Sequence, residues 1–182
     1  MTARRPSPAE RRERRAGVDD PAVVLEAALR FLEARPRSVA EVRRRLTTAG
    51  YRRELVDGAL DRLLDLQVLD DETFATSWVE SRDRAHPRGE IALRRELALK
   101  GIDRAIVDRV LGERRTDQDD GAELERGRRL LERQARTLAR EPDVRRRRAK
   151  AYALLARNGF DPETASRLSR EVVAQDSDAA AD

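Results

Sequence analysis

Apolar residues recur at helical spacing along most of this chain. After Asp20-Pro21, an N-cap followed by proline at the first helical position, Leu25, Leu29 and Leu32 fall at i, i+4 and i+7 and predict an amphipathic helix. Arg35-Pro36-Arg37 ends it, and Ser38-x-x-Glu41 reads as a capping box for a second helix with Val39, Val42 and Leu46 on its buried face. Gly50 closes that helix. A third, from about Glu54, carries Leu55, Val56, Ala59, Leu60 and Leu63. Three such helices predict a small bundle.

The plan then repeats. Acidic residues at Asp70-Asp71-Glu72 suit a helix N-terminus, and Phe74, Ala75, Trp78 and Val79 line the helix they open. Pro87 and Gly89 break the chain, Leu93 and Leu97 mark a second helix, and Asp103 caps a third bearing Ile106, Val107 and Val110. In the remaining sequence, Leu124, Leu131 and Leu138 predict one helix to about Arg140. Val144, Ala151 and Leu155 predict a second, and Asp161-Pro162-Glu163 opens a third.

A short phrase punctuates all three groups: Leu46-Thr47-Thr48-Ala49-Gly50-Tyr51, Leu97-Ala98-Leu99-Lys100-Gly101-Ile102 and Leu155-Ala156-Arg157-Asn158-Gly159-Phe160. A helix that ends on a left-handed glycine, with the next apolar residue folding back on the last turn, produces this pattern. The glycines stand 51 and 58 residues apart, which predicts one supersecondary unit used three times. Aligned on them, Leu55 matches Ile106, Val56 matches Val107 and Leu60 matches Leu111.

The expected fold is therefore all-α, with three tandem three-helix modules in an elongated array that can curve. Its divisions are a disordered basic arm (1–19), module 1 (20–69), module 2 (70–112), a charged linker (113–121), a basic module 3 (122–175) and a fraying acidic tail (176–182).

Composition narrows the chemistry. Of 182 residues 39% are hydrophobic and 41% charged, and with 3% aromatics the core is thin. Cysteine is absent, which removes disulfides, thiolate metal sites and a cysteine nucleophile. His86 is the single histidine and sits between Ala85 and Pro87, in an expected exposed loop. Phosphate loops of the GxxxxGK[ST] type, GxGxxG turns, HExxH helices and GxSxG elbows do not occur. The reading is of a non-enzyme with no cofactor, no metal and no small-molecule substrate. Without a run of roughly 18 apolar residues it is expected to be soluble, cytoplasmic and not membrane-bound.

Charge points to partners. The net charge is +4, yet residues 121–160 alone hold twelve cations against five carboxylates. Arg43-Arg44-Arg45 lies just before Gly50, and Arg94-Arg95 with Lys100 occupies the matching place before Gly101. Arg145-Arg146-Arg147-Arg148 with Lys150 has little local compensation. The candidate partner-facing residues are Arg43, Arg44, Arg94, Arg95, Lys100, Arg145, Arg146, Arg147, Arg148 and Lys150. Such faces can follow an acidic repeating partner, a nucleoprotein filament or a DNA backbone, or can be solvated helix surfaces with i,i+4 pairs such as Glu41 with Arg45.

The run Arg37-Ser38-x-x-Glu41-Val42-Arg43-x-x-Leu46-x-x-x-Gly50-Tyr51, followed by Leu69-Asp70-Asp71-Glu72, Phe74-Ala75, Trp78-Val79 and Leu97-x-x-Lys100-Gly101-Ile102, resembles the RecX family of bacterial recombination regulators. The likeness covers about residues 25–112. Beyond them it rests on Leu155, Gly159 and Phe160, and Pro87-Arg88-Gly89 departs from the family's Gly-first turn. The resemblance implies a monomeric, non-enzymatic protein of three three-helix modules that binds RecA filaments on DNA and restrains their ATPase and strand exchange. A sequence-independent DNA-binding protein using helix-turn-helix-like pairs is the alternative, and a helical scaffold for another protein is a third.

Overall fold

Helix boundaries follow the capping chemistry. The computed structural model describes the backbone of residues 7–116 and 121–179, and the side-chain surroundings of 7–114 and 121–173. All regular structure among them is helical: α1 (Pro8–Ala16), α2 (Pro21–Leu32), α3 (Val39–Ala49), α4 (Arg53–Asp65), α5 (Asp71–Ala85), α6 (Glu90–Leu99), α7 (Arg104–Thr116), α8 (Gly121–Arg133), α9 (Ala135–Ala139), α10 (Val144–Arg157) and α11 (Pro162–Ala179). Asp20 accepts the Ala22 amide at 2.9 Å to start α2, and Ser38 and Glu41 cap α3 reciprocally. Asp143 accepts the Arg146 amide at 2.8 Å to start α10. Each carboxylate or hydroxyl satisfies a donor that the helix leaves unpaired.

Helix packing turns the expected stripe of α2. Val24 and Ala28 are buried, whereas Leu25 and Leu32 are only partly so and Leu29 is exposed. They join Val42, Leu46, Val56, Leu60 and Leu63 in one core. The same turn of phase leaves Val144 exposed on α10, while Ala151 and Leu155 pack with Phe160, Ala165 and Leu168. Between them in sequence, Phe74, Ala75, Val79, Leu93, Leu97, Val107, Val110 and Leu111 are buried.

Four expected divisions change. The arm expected to be disordered holds α1, because Ser7 and Glu10 form a capping box around Pro8. Nothing in α1 is buried, and it is tied down by the Arg15 guanidinium donating to the Ala49 carbonyl at 3.3 Å. The charged linker begins as helix: α7 runs to Thr116, and Arg114 forks onto Asp83 at 2.7 and 3.1 Å. The helix expected to reach Arg140 breaks at Gln134 (φ −105°, ψ 5°), giving α8 and α9. The acidic tail continues α11 as far as Ala179. Residues 1–6, 117–120 and 180–182 of these divisions lie outside the described residues.

The chain divides into two compact units, residues 1–74 with 100–103, and residues 75–99 with 104–182. In both, the glycine phrase does more than stop a helix. Gly50, Gly101 and Gly159 have φ of 106°, 77° and 80°, and Tyr51 and Phe160 donate back to Leu46 and Leu155 at 3.3 and 3.2 Å. Each turn is then covered by another segment. In the first unit, backbone of Arg12 lies over Gly50, and Ala40 at the start of α3 lies over Gly101. In the second, Gly89 and Ile91 donate to the carbonyls of Asn158 and Gly159 at 3.0 and 3.1 Å, with Ala92 against Gly159. A Cβ on Gly159 would stand 2.3 Å from the Ala92 nitrogen, so only glycine lets these backbones meet.

A fourth copy of the turn was hidden in the sequence. Gln67 has φ of 53°, and Val68 donates to Leu63 at 2.9 Å, so Leu63-x-x-x-Gln67-Val68 repeats the geometry with glutamine in the glycine's place.

Candidate functional site

The second helix of each early group projects the candidate cations, and the third helix answers some of them. Arg43 on α3 donates to Asp57 on α4, and Arg94 on α6 donates to Asp108 on α7. Each aspartate has a second cation one turn earlier, Arg53 and Arg104, both at 3.7 Å. The two clasps are related residue for residue by the glycine spacing. Asp108, with Glu90 at 3.0 Å, raises the Arg94 pKa above its already high ordinary value. Arg43 and Arg94 thus hold helix to helix, and of the matched pairs only Arg44 and Arg95 are exposed without an ion pair among the described residues.

Lys100 is drawn inward. In the first unit its ammonium sits 2.9 Å from Glu41, with its side chain 20% exposed, and the Ser38 hydroxyl donates to its carbonyl at 2.6 Å. Burial pushes the Glu41 carboxyl up, but the hydrogen bond from Lys100, that from the Ser38 amide and the charges of Lys100 and Arg35 outweigh it and leave the pKa lowered. Asp71 accepts the Val39 amide at 2.9 Å, yet its burial, with help from Asp70, keeps its pKa raised. This junction of Ser38, Glu41, Asp71 and Lys100 has no signature beyond the capping box, because its partners stand up to 62 residues apart.

On α10 the four-arginine run divides. Arg145, Arg146 and Arg148 are exposed, while Arg147 is half-buried and donates to the Pro142 carbonyl at 3.5 Å. Lys150 binds Glu141, whose pKa is lowered first by that hydrogen bond and then by the nearby charges, Arg146 included. Arg145 and Arg148 make no ion pair among the described residues. Of the candidate cations, Arg44 on α3, Arg95 on α6, and Arg145, Arg146 and Arg148 on α10 are exposed with no ion pair among the described residues, while Arg43 and Lys150 are exposed but paired.

Buried arginines were missed altogether. Arg126 on α8 is 4% exposed and bonds Glu123 at 3.0 Å, and Arg114 bridges Asp83 and the Arg88 carbonyl. An arginine-rich sequence conceals which guanidiniums point inward. His86 is exposed, as expected.

These features define an all-α protein with tandem three-helix domains and exposed cations on α3, α6 and α10. Family models match two such domains: the first three-helix domain of RecX over residues 25–63 and the second over residues 70–111. The regulatory protein RecX of Mycobacterium sp. (strain KMS) is 40% identical over 141 residues, covering 75% of this chain and 74% of that protein. That of Mycobacterium avium (strain 104) is 36% identical over 138 residues, covering 75% and 77%. The crystal structure of RecX from Lactobacillus salivarius superposes with a TM-score of 0.71 at 24% identity, over 85% of this chain and 97% of that one, and shares the fold. The chain belongs to the RecX family of regulatory proteins. No described helix is long and apolar enough to cross a membrane.

Proposed function

We propose that this protein binds RecA recombinase filaments on DNA and restrains their ATPase and strand-exchange activities, acting as a regulator rather than a catalyst, as three tandem three-helix modules in the cytoplasm. Membership of the RecX family is the observation that carries the reading. The exposed cations support it, since Arg44 and Arg95 repeat at matched positions of two modules and Arg145, Arg146 and Arg148 cluster on α10, groups that an acidic surface attracts. A regulator of this kind needs only to bind one filament conformation better than another to shift assembly.

The test is RecA's DNA-dependent ATPase and strand exchange titrated with this protein. Inhibition near stoichiometric ratios is expected, and unchanged rates at stoichiometric excess refute the proposal. Changing Arg145, Arg146 and Arg148 together to alanine should weaken inhibition with helicity intact. Direct duplex binding without RecA, steeply dependent on salt, would favour the DNA-binding reading instead.

A further inference from the structure

The helices α2–α4 and α5–α7 superimpose in sequence with an offset of 51, and their buried positions agree: Val24 with Ala75, Ala28 with Val79, Val42 with Leu93, Leu46 with Leu97, Val56 with Val107, and Leu60 with Leu111. This register makes residue-by-residue comparison of the flanks legitimate. On α5, Trp78 fills the flank between the first and second helices. Its indole N–H donates to Glu96 at 2.9 Å, the Arg82 guanidinium lies over its ring at 4.6 Å, and Glu96 also binds Arg82 at 2.7 Å and Arg88 at 3.5 Å. One carboxylate and one aromatic ring complete this flank from within.

The equivalent residues on the first group are Ala27 for Trp78, Phe31 for Arg82, Arg37 for Arg88 and Arg45 for Glu96. The contacts persist with altered chemistry: Phe31 meets Arg45 at 5.5 Å and Arg37 at 4.3 Å, where Arg82 meets Glu96 in the sibling. But the ring that would fill the flank is reduced to a methyl group and the carboxylate has become a cation. A cavity of about 290 Å³ remains, lined by Ala27, Phe31, Arg30, Arg45, Tyr51 and Arg15. Arg15 reaches it from α1 and lies 5.7 Å from the Tyr51 ring. No lining residue is acidic, and among the described residues the one ion pair of these lining cations is the exposed i,i+4 bridge of Arg30 to Glu26, Arg15 donating only to the Ala49 carbonyl. The Nε of Arg37 is buried without a hydrogen-bond partner.

We propose that this cavity is a binding site for an acidic peptide segment in which a carboxylate stands beside an aromatic side chain, supplied by a partner protein. The sibling flank gives the complement directly: a carboxylate for the guanidiniums and a flat ring in the space above Ala27. Guanidinium forks on aromatic faces are preset to receive a carboxylate, because stacking fixes their planes before the anion arrives. The apolar lining from Ala27 and the Phe31 and Tyr51 rings favours a peptide side chain over a phosphate backbone.

The test uses the full-length protein and a fluorescein-labelled peptide GSEWEDSG, read by fluorescence anisotropy at moderate salt. A peptide GSQWQNSG and a labelled oligothymidylate of similar length are run beside it. Saturable binding of the acidic peptide is expected, at least tenfold tighter than the glutamine peptide. Arg45→Glu, and separately Ala27→Trp, should each weaken it at least tenfold with unchanged circular dichroism and melting temperature. Equal binding by wild type and Arg45→Glu overturns the proposal, as does the absence of saturable peptide binding to the wild type. Variant-sensitive binding of the oligothymidylate in place of the peptide also overturns it and gives the cavity to nucleic acid.

Discussion

Residues 25–63 and 70–111 share the same buried frame, the same Arg–Asp clasp and the same glycine turn, yet fill one flank in opposite ways. Trp78 and Glu96 close the flank of α5 and α6, whereas Ala27 and Arg45 leave that of α2 and α3 open and cationic. The difference shows which positions of a repeated unit are free to vary. Positions facing the core stay aliphatic, and where Val24 gives way to Ala75, Ala28 gives way to Val79, which exchanges sizes while conserving volume. Positions on the flank sit between core and solvent, where ring, carboxylate or guanidinium all fold equally well. Side chains diverge there without disturbing the frame.

Breaking the shared frame should have the largest effect. Leu46→Ala and Leu97→Ala empty equivalent sites that are 2% and 0% exposed, and each should cost about 2–5 kcal/mol in denaturant unfolding. Widely different costs would show that the two groups are not packed alike. Glycine turns come next. Gly159→Ala places its Cβ on the Ala92 backbone, while Gly50→Ala meets the backbone of the peripheral α1. Both incur about 1–2 kcal/mol for the left-handed conformation and a further loss from the clash, larger at Gly159, where the Cβ comes closer to backbone.

Trp78→Ala sharpens the contrast between flanks. Trp78 is half-buried rather than a core residue, so its removal should cost less than the roughly 3 kcal/mol seen for fully buried aromatic truncations. Chemical denaturation followed by far-ultraviolet circular dichroism would report it, since Trp78 is the one tryptophan of the chain. In the opposite direction, Gln67→Gly should stabilise by up to about 1 kcal/mol, since it removes a side chain from a left-handed position. The smallest effects belong to the clasps: Asp57→Ala and Asp108→Ala should each change stability by about 0.2–1 kcal/mol, diminishing at high salt.

Acid should loosen the Ser38–Lys100 junction in the first unit. With its pKa lowered by folding, Glu41 contributes stability above its ordinary value of 4.5, and that contribution is lost as the pH falls through the lowered folded value. Comparing melting temperatures of wild type and Glu41→Gln across that range should show their difference shrinking toward low pH.

Much of the fold was legible because helical punctuation is local. Ser38-x-x-Glu41, Asp20-Pro21 and the three glycines act over one turn of chain, and each took the structure expected of it. Ser7-Pro8-x-Glu10 carried the same signal for α1 amid a charged segment that otherwise read as disordered. The candidate cations were less legible. A guanidinium reaches far enough to pair with residues on another helix, so adjacent arginines such as Arg43 and Arg44 take different roles that their neighbours in sequence do not reveal.

By itself the sequence determined where α2, α3, α6 and α10 start or stop, which residues repeat and which family the repeats resemble, because caps, left-handed turns and apolar periodicity are properties of short stretches of chain. Only the tertiary structure decided which face of α2 turns inward, which arginines are spent on Asp57 and Asp108, and that Lys100 serves Glu41. It alone opened the cavity above Ala27. Those outcomes depend on the distances between segments far apart in sequence, and packing sets them.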